Sequence, residues 1–279
     1  SYSLKEDFDK SDKSICLLVK DNNEAVYVNN ELSLLMESEK ILVFPENDIL
    51  PYDHFSIPEQ ITKERFKIIN ANQNKHILVT SIKNLFDLYP RKENFQSMGE
   101  FSIGKKISLA NILKVVESLN YIKKPNVEKI NEYSVRGGII DIYTPLYTNP
   151  LRIEIFDDIL ESIRFFDVDT QLSIDKIKSF SLSKGNIISL DDMTVSMFVD
   201  NWRQYFTDID ERYCSMFQNI KKHNSTEGIE IYFPFFFNKT SSFFDLFSNY
   251  EYVKFNKLNN NIDEYNKFIS NRFNDESVD

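Results

Sequence analysis

Cysteine, histidine and arginine are all scarce in this 279-residue chain, and each scarcity closes off a class of function. The two cysteines, Cys16 and Cys214, lie about 200 residues apart among apolar or aromatic neighbours. They read as small buried hydrophobes, not as a disulfide framework or a zinc site. The three histidines, His54, His76 and His223, are remote from one another, and none has a second ligand at i+2, i+3 or i+4, so no metal is expected. No apolar run approaches the roughly 20 residues of a membrane helix. The first 20 residues carry several charges where a signal peptide would have an apolar core, so the chain is expected in the cytoplasm, with no membrane partner. Arginine is outnumbered about three to one by lysine, and the formal net charge is −10. Such a chain repels a phosphate backbone, which argues against a DNA binder that uses its whole surface. A local arginine cluster on an acidic chain is then a feature of a site and not of the composition.

What is present is a globular pattern, 42% hydrophobic and long enough to bury a sizeable core. The first third alternates short apolar runs, "SICLLVK" (14–20), "ILVFP" (41–45) and "HILVTS" (76–81), with amphipathic ones, "NNEAVYVNNELSLLMES" (22–38), "EQITKERFKIINA" (59–71) and "IKNLFDLY" (82–89). Buried strands between helices predict β-α-β-α-β, a parallel sheet of Rossmann-like or RecA-like type. After Pro90 the texture changes to antiparallel strand alternation over 122–182, preceded by a helix at 108–121 with Ser108 as N-cap. A small α+β domain is expected over 98–184. Beyond it, Val195, Phe198, Val199, Trp202 and Phe206 mark one face of a helix at 191–206, and a second helix is expected at 209–221. The dense Phe and Tyr of the C-terminal third read as core and not as a platform for stacking bases. The last residues, "NDESVD", read as frayed.

Two segments imitate nucleotide chemistry. "GEFSIGKK" (99–106) nearly matches G-x-x-x-x-G-K-[ST], but Lys106 stands where a magnesium-binding hydroxyl belongs, and no helix follows the loop directly. "NIISLDDM" (186–193) ends in Asp191 and Asp192, which read as the acidic first turn of the next helix. No nucleophile motif or paired carboxylates appear, so neither catalysis nor a cofactor is expected.

The segment "EYSVRGGIIDIYTPLYTNPLRIEIFDDILESIRFFDVDT" concentrates three of eight arginines and two of six glycines. In "LRIEIF" (151–156), a period of two sends Leu151, Ile153 and Ile155 to one face and Arg152, Glu154 and Phe156 to the other. Asp157 and Asp158 supply a turn, and "LESIRFF" returns as the second arm of a hairpin. Gly137 and Gly138 suggest a bulge or close strand approach beside Arg136. Pattern alone leaves three readings open for this face: a protein-binding patch, ordinary sheet surface, or a phosphate site.

"EYSVRGGIIDIYTP", "PLRIEIFDD", "ESIRFFDVDTQLSI", "FPENDILPYDHFS" and "GIEIYFPFFF" together resemble the N-terminal region of the bacterial transcription-repair coupling factors (Mfd) and, more distantly, UvrB. The resemblance runs from about residue 14 to about 255. It departs from UvrB in lacking a phosphate loop and in having no room for a tyrosine-rich hairpin between "FPENDILPYDHFS" and "EQITKERF". It departs from both in Ile159, where an acidic residue is usual, and in an N-terminal strand and helix that read as shortened or absent. The resemblance implies a degenerate RecA-like (P-loop NTPase-like) scaffold, residues 1–97 with 185–279, and an inserted UvrB-type domain, 98–184, that docks UvrA. It implies that Arg136 and Arg152 are donors to UvrA, with Phe156 as apolar anchor. It also implies a non-enzymatic adaptor of nucleotide excision repair that recruits UvrA to stalled RNA polymerase, the polymerase and DNA being engaged by parts of the family outside this chain. Two rivals are a UvrB-type ATP-dependent damage-binding protein, whose ATP affinity would need Lys105, and a non-specific DNA-binding module.

Overall fold

The computed structural model describes residues 2–70, 74–95, 98–184 and 188–276. Ala71, the expected end of one helix, residues 186–187 of "NIISLDDM" and the last three residues of the expected frayed tail lie outside these. In chain order the elements are α1 (Tyr2–Lys10), β1 (Ile15–Val19), α2 (Asn22–Ser33), β2 (Ile41–Phe44), α3 (Glu59–Asn70) and β3 (Ile77–Ser81). Then come β4 (Met98–Ser102), α4 (Leu109–Ser118), β5 (Ile122–Lys123), β6 (Glu132–Arg136), β7 (Ile139–Ile142), β8 (Leu151–Phe156), β9 (Ile159–Phe166), β10 (Ser173–Lys176) and β11 (Ser179–Leu182). The chain ends with α5 (Asp192–Tyr205), α6 (Ser215–Lys221), α7 (Phe243–Leu246), β12 (Glu251–Lys254) and α8 (Asn259–Glu276). It divides into two compact units, one of residues 1–91 with 190–279 and one of 92–189.

The first unit is built on a parallel sheet of order β12-β1-β3-β2. Every residue of β1 and β3 is buried, which is why both read as unbroken apolar runs. Ala25, Val28 and Leu32 of α2 close over the sheet together with Leu4 and Phe8 of α1. A short helix therefore precedes β1. Its only apolar signature is the i, i+4 pair Leu4 and Phe8 in an otherwise charged segment. The amphipathic run at 82–89 forms just a 3₁₀ turn, Ile82–Leu85. The helix expected over 209–221 is broken: Asp210 accepts from the Arg212 amide, a 3₁₀ turn follows at Glu211–Tyr213, and α6 starts only at Ser215. α5 begins as expected, with Asp191 capping the Thr194 amide and Asp192 in the first turn. Part of the aromatic set is core, with Phe198, Trp202, Phe217 and Phe236 buried and the Phe198 and Phe236 rings stacked at 4.8 Å, while Tyr205, Tyr213, Phe244 and Phe273 are exposed. Cys16 is buried, but Cys214 is only half-buried.

The second unit is a six-stranded sheet of order β10-β9-β8-β7-β6-β5, with a β4–β11 ribbon and α4. Neighbouring strands pair antiparallel except β5 with β6, which run parallel. Ile112 and Val116 of α4 pack onto Ile140, Ile142, Leu151, Ile153, Leu160 and Ile163, and Ser108 caps the helix by accepting from the Asn111 amide. Gly137 and Gly138 form the two-residue turn of the β6–β7 hairpin and not a bulge. Gly137 is left-handed (φ 61°), and a Cβ at Gly138 would lie 2.5 Å from the Ile155 carbonyl oxygen. The register shift falls elsewhere, between Glu154 and Ile155, where Glu161 is the extra residue on β9. "GEFSIGKK" is β4 followed by a turn at Gly104 (φ 82°), with no helix until Leu109.

Candidate functional site

One face of the six-stranded sheet takes its composition directly from the register. Ser134, Asp141, Arg152 and Arg164 oppose one another in a single row across β6 to β9, and residues directly opposed share a face. The next row is Arg136, Ile139, Glu154 and Ser162. A third row, at the hairpin end, starts with Phe156 opposite Ile159. The other face holds the larger apolar core, while this face carries the charged rows and a smaller buried cluster of Val127, Tyr143 and Phe166.

Asp141 organises this face. Its side chain is 1% exposed and accepts from Arg152 Nε at 2.8 Å, Arg152 Nη2 at 3.0 Å and Arg136 Nη2 at 2.6 Å. A buried carboxylate needs such partners, since unpaired it would carry a large desolvation cost. The hydrogen bond to Asp141 raises the Arg152 pKa above its ordinary value, so this guanidinium is fixed in its charged form. Arg152 also donates to the backbone oxygen and Oε1 of Gln171 and lies 4.4 Å from the centre of the Phe166 ring. Its side chain is 17% exposed, and four hydrogen bonds hold it inside the chain. Arg136, by contrast, spends one ion pair on Asp141 and keeps 51% of its side chain exposed.

The three residues singled out by sequence thus share a face but differ in what they can offer. Phe156 is 71% exposed at the end of β8, Arg136 is half open, and Arg152 is committed inward. Sequence reasoning missed Arg164, which pairs with Glu154, while Ser162 Oγ donates to the same carboxylate at 2.6 Å. It also left Ile159 outside the site. The signal for both is cross-strand register, which a single strand's alternation does not contain.

The first unit has its own candidate place. Open parallel sheets bind ligands in the crevice at the carboxyl ends of the strands where the strand order reverses, here between β1 and β12. That position is taken by Glu24, which accepts from the Lys20 amide at 2.6 Å and from Asn256 Nδ2 at 2.7 Å. Asp21 caps the Glu24 amide. The N-terminus of α2, where a phosphate would be favoured, faces the chain's own carboxylates. Among the described residues no group of His, Cys, Asp and Glu could hold a metal ion, and no helix is long and apolar enough to cross a membrane.

Residues 100–186 match the UvrB interaction domain family. The chain is 29% identical over 248 residues to a transcription-repair-coupling factor of Haemophilus influenzae, covering 88% of this chain and 22% of the relative. It is 28% identical over 254 residues to that of Rickettsia bellii, covering 89% and 22%. With that of Staphylococcus aureus it shares 27% identity over 186 residues, covering 66% and 16%. The chain thus spans about a fifth of the length of the first two of these relatives. The likeness read from "EYSVRGGIIDIYTP" and "PLRIEIFDD" lies inside the matched domain. Over most of its length the chain is thus similar to the N-terminal part of transcription-repair-coupling factors, with residues 100–186 matching the UvrB interaction domain family.

Proposed function

We propose that this chain is a non-enzymatic docking module of transcription-coupled nucleotide excision repair, and that it binds UvrA through the arginine-bearing face of the β6–β9 sheet. The observation that carries the reading is Phe156: a large aromatic side chain left 71% exposed on the same sheet face as the half-open guanidinium of Arg136. Aromatic and arginine side chains are the types that dominate the energetic centres of protein interfaces. Phe156 is the apolar anchor and Arg136 a charge-assisted donor to a UvrA carboxylate or carbonyl. Arg152 supports them by holding Asp141 and hence Arg136 in place.

In this reading residues 98–184 are an inserted docking domain carried by a degenerate RecA-like scaffold of residues 1–97 and 185–279, working in the cytoplasm. RNA polymerase stalled at damage, and the DNA itself, are engaged by other parts of the longer relatives. Calorimetric titration of UvrA into the chain tests the proposal. Arg136→Ala is expected to weaken binding by about tenfold, roughly 1.4 kcal/mol, without lowering the melting temperature. Wild-type affinity in Arg136→Ala and Phe156→Ala alike would move the docking site off this face.

A further inference from the structure

The hairpin end beyond Phe156 carries a second layer of contacts. Segment 104–107 runs along the free side of β9: Leu160 accepts from the Gly104 amide at 2.8 Å, the Leu160 amide donates to Lys105 at 3.2 Å, and Asp158 accepts from Ile107 at 2.7 Å. This brings Lys106 opposite Ile159, which is itself opposite Phe156. Directly opposed residues share a face, so Lys106, Ile159 and Phe156 form one row. Ile159 is 42% exposed, and Asp157 and Asp158, both left-handed (φ 49° and 57°), make the two-residue turn that fixes the pair. Lys106 is exposed and adds a cation to this row, next to the turn of Asp157 and Asp158.

We infer that Ile159 and Lys106 extend the docking surface into a two-residue apolar wedge with a cationic flank, whose partner is a UvrA surface with an apolar socket and a carboxylate facing Lys106. The inference rests on the UvrA reading above and adds to it a basis for selectivity. An isoleucine here demands an apolar counterpart and would leave a partner's basic group unpaired and desolvated, so discrimination comes from the mismatch as much as from the match.

The test is calorimetry of the full chain against UvrA, with Phe156→Ala as reference. Ile159→Asp is expected to weaken binding by about tenfold or more, while Ile159→Leu stays within about threefold of wild type. Lys106→Glu is expected to weaken binding in low salt, with the loss shrinking as salt is added. If Ile159→Asp proves unstable, Ile159→Thr keeps the β-branched shape and is expected to show a loss in the same direction. Unchanged affinity in Ile159→Asp, or in its substitute Ile159→Thr, and in Lys106→Glu, with a loss in Phe156→Ala, would overturn the wedge and leave the docking reading standing. Absence of wild-type binding would remove both.

Discussion

The two units treat their candidate ligand positions in opposite ways. In the first, at the carboxyl ends of β1 and β12, the two carboxylate oxygens of Glu24 meet the Lys20 amide and the Asn256 side chain. In the second, Asp141 pairs with Arg136 and Arg152, and Glu154 with Arg164 and Ser162, while Phe156 and Ile159 on the same face are left exposed. The first position is satisfied from within. The second pairs its carboxylates but leaves large apolar side chains uncovered, a combination that a protein partner can complete. A binding position is therefore marked less by its fold location than by what the chain leaves uncovered there.

Breaking the second unit's internal pairing should have the largest effect. Arg152→Ala removes the bidentate partner of a buried carboxylate and is expected to destabilise the chain by about 3 kcal/mol. A denaturant titration reads this directly, and an Asp141→Ala background should absorb most of the loss. Gly138→Ala comes next, because its Cβ would meet the Ile155 carbonyl. A fall of about 2 kcal/mol is expected from the forced backbone shift. Phe156→Ala sharpens the contrast: UvrA affinity should drop about thirtyfold, near 2 kcal/mol, with no change in thermal midpoint since little of the ring is buried. The smallest effect belongs to the first unit. Glu24→Ala deletes two hydrogen bonds and a favourable charge at the start of α2, costing about 1 kcal/mol of stability and leaving UvrA affinity unchanged.

The legible parts of the fold were those where local pattern and tertiary burial agree. The unbroken apolar runs of β1 and β3 announce a doubly covered parallel sheet, and Ser108 and Asp191 announce the helices they cap. β12 was not legible: "EYVK" is a short edge strand, half-buried at best, that gains its identity only by pairing with β1. α8 was missed although Ile262, Tyr265, Ile269 and Phe273 recur at i, i+3, i+7 and i+11, a helical stripe that packs only lightly, with none of its residues fully buried. At the site, strand alternation placed Arg152 and Phe156 on one face, but it could not tell an engaged arginine from an open one. That distinction depends on Asp141 lying opposite Arg152, a fact of register between β7 and β8. The same limit hid Ile159 and Lys106, which become neighbours only through a bridge between segments more than fifty residues apart.

The most direct test of the central claim is amide hydrogen exchange of the whole chain with and without UvrA. The account predicts slowed exchange at Arg136–Ile139 and Glu154–Leu160, with residues 19–25 and 251–256 unaffected. Protection confined to the β1–α2 and β12 segments, with the β6–β9 face unchanged, would contradict it.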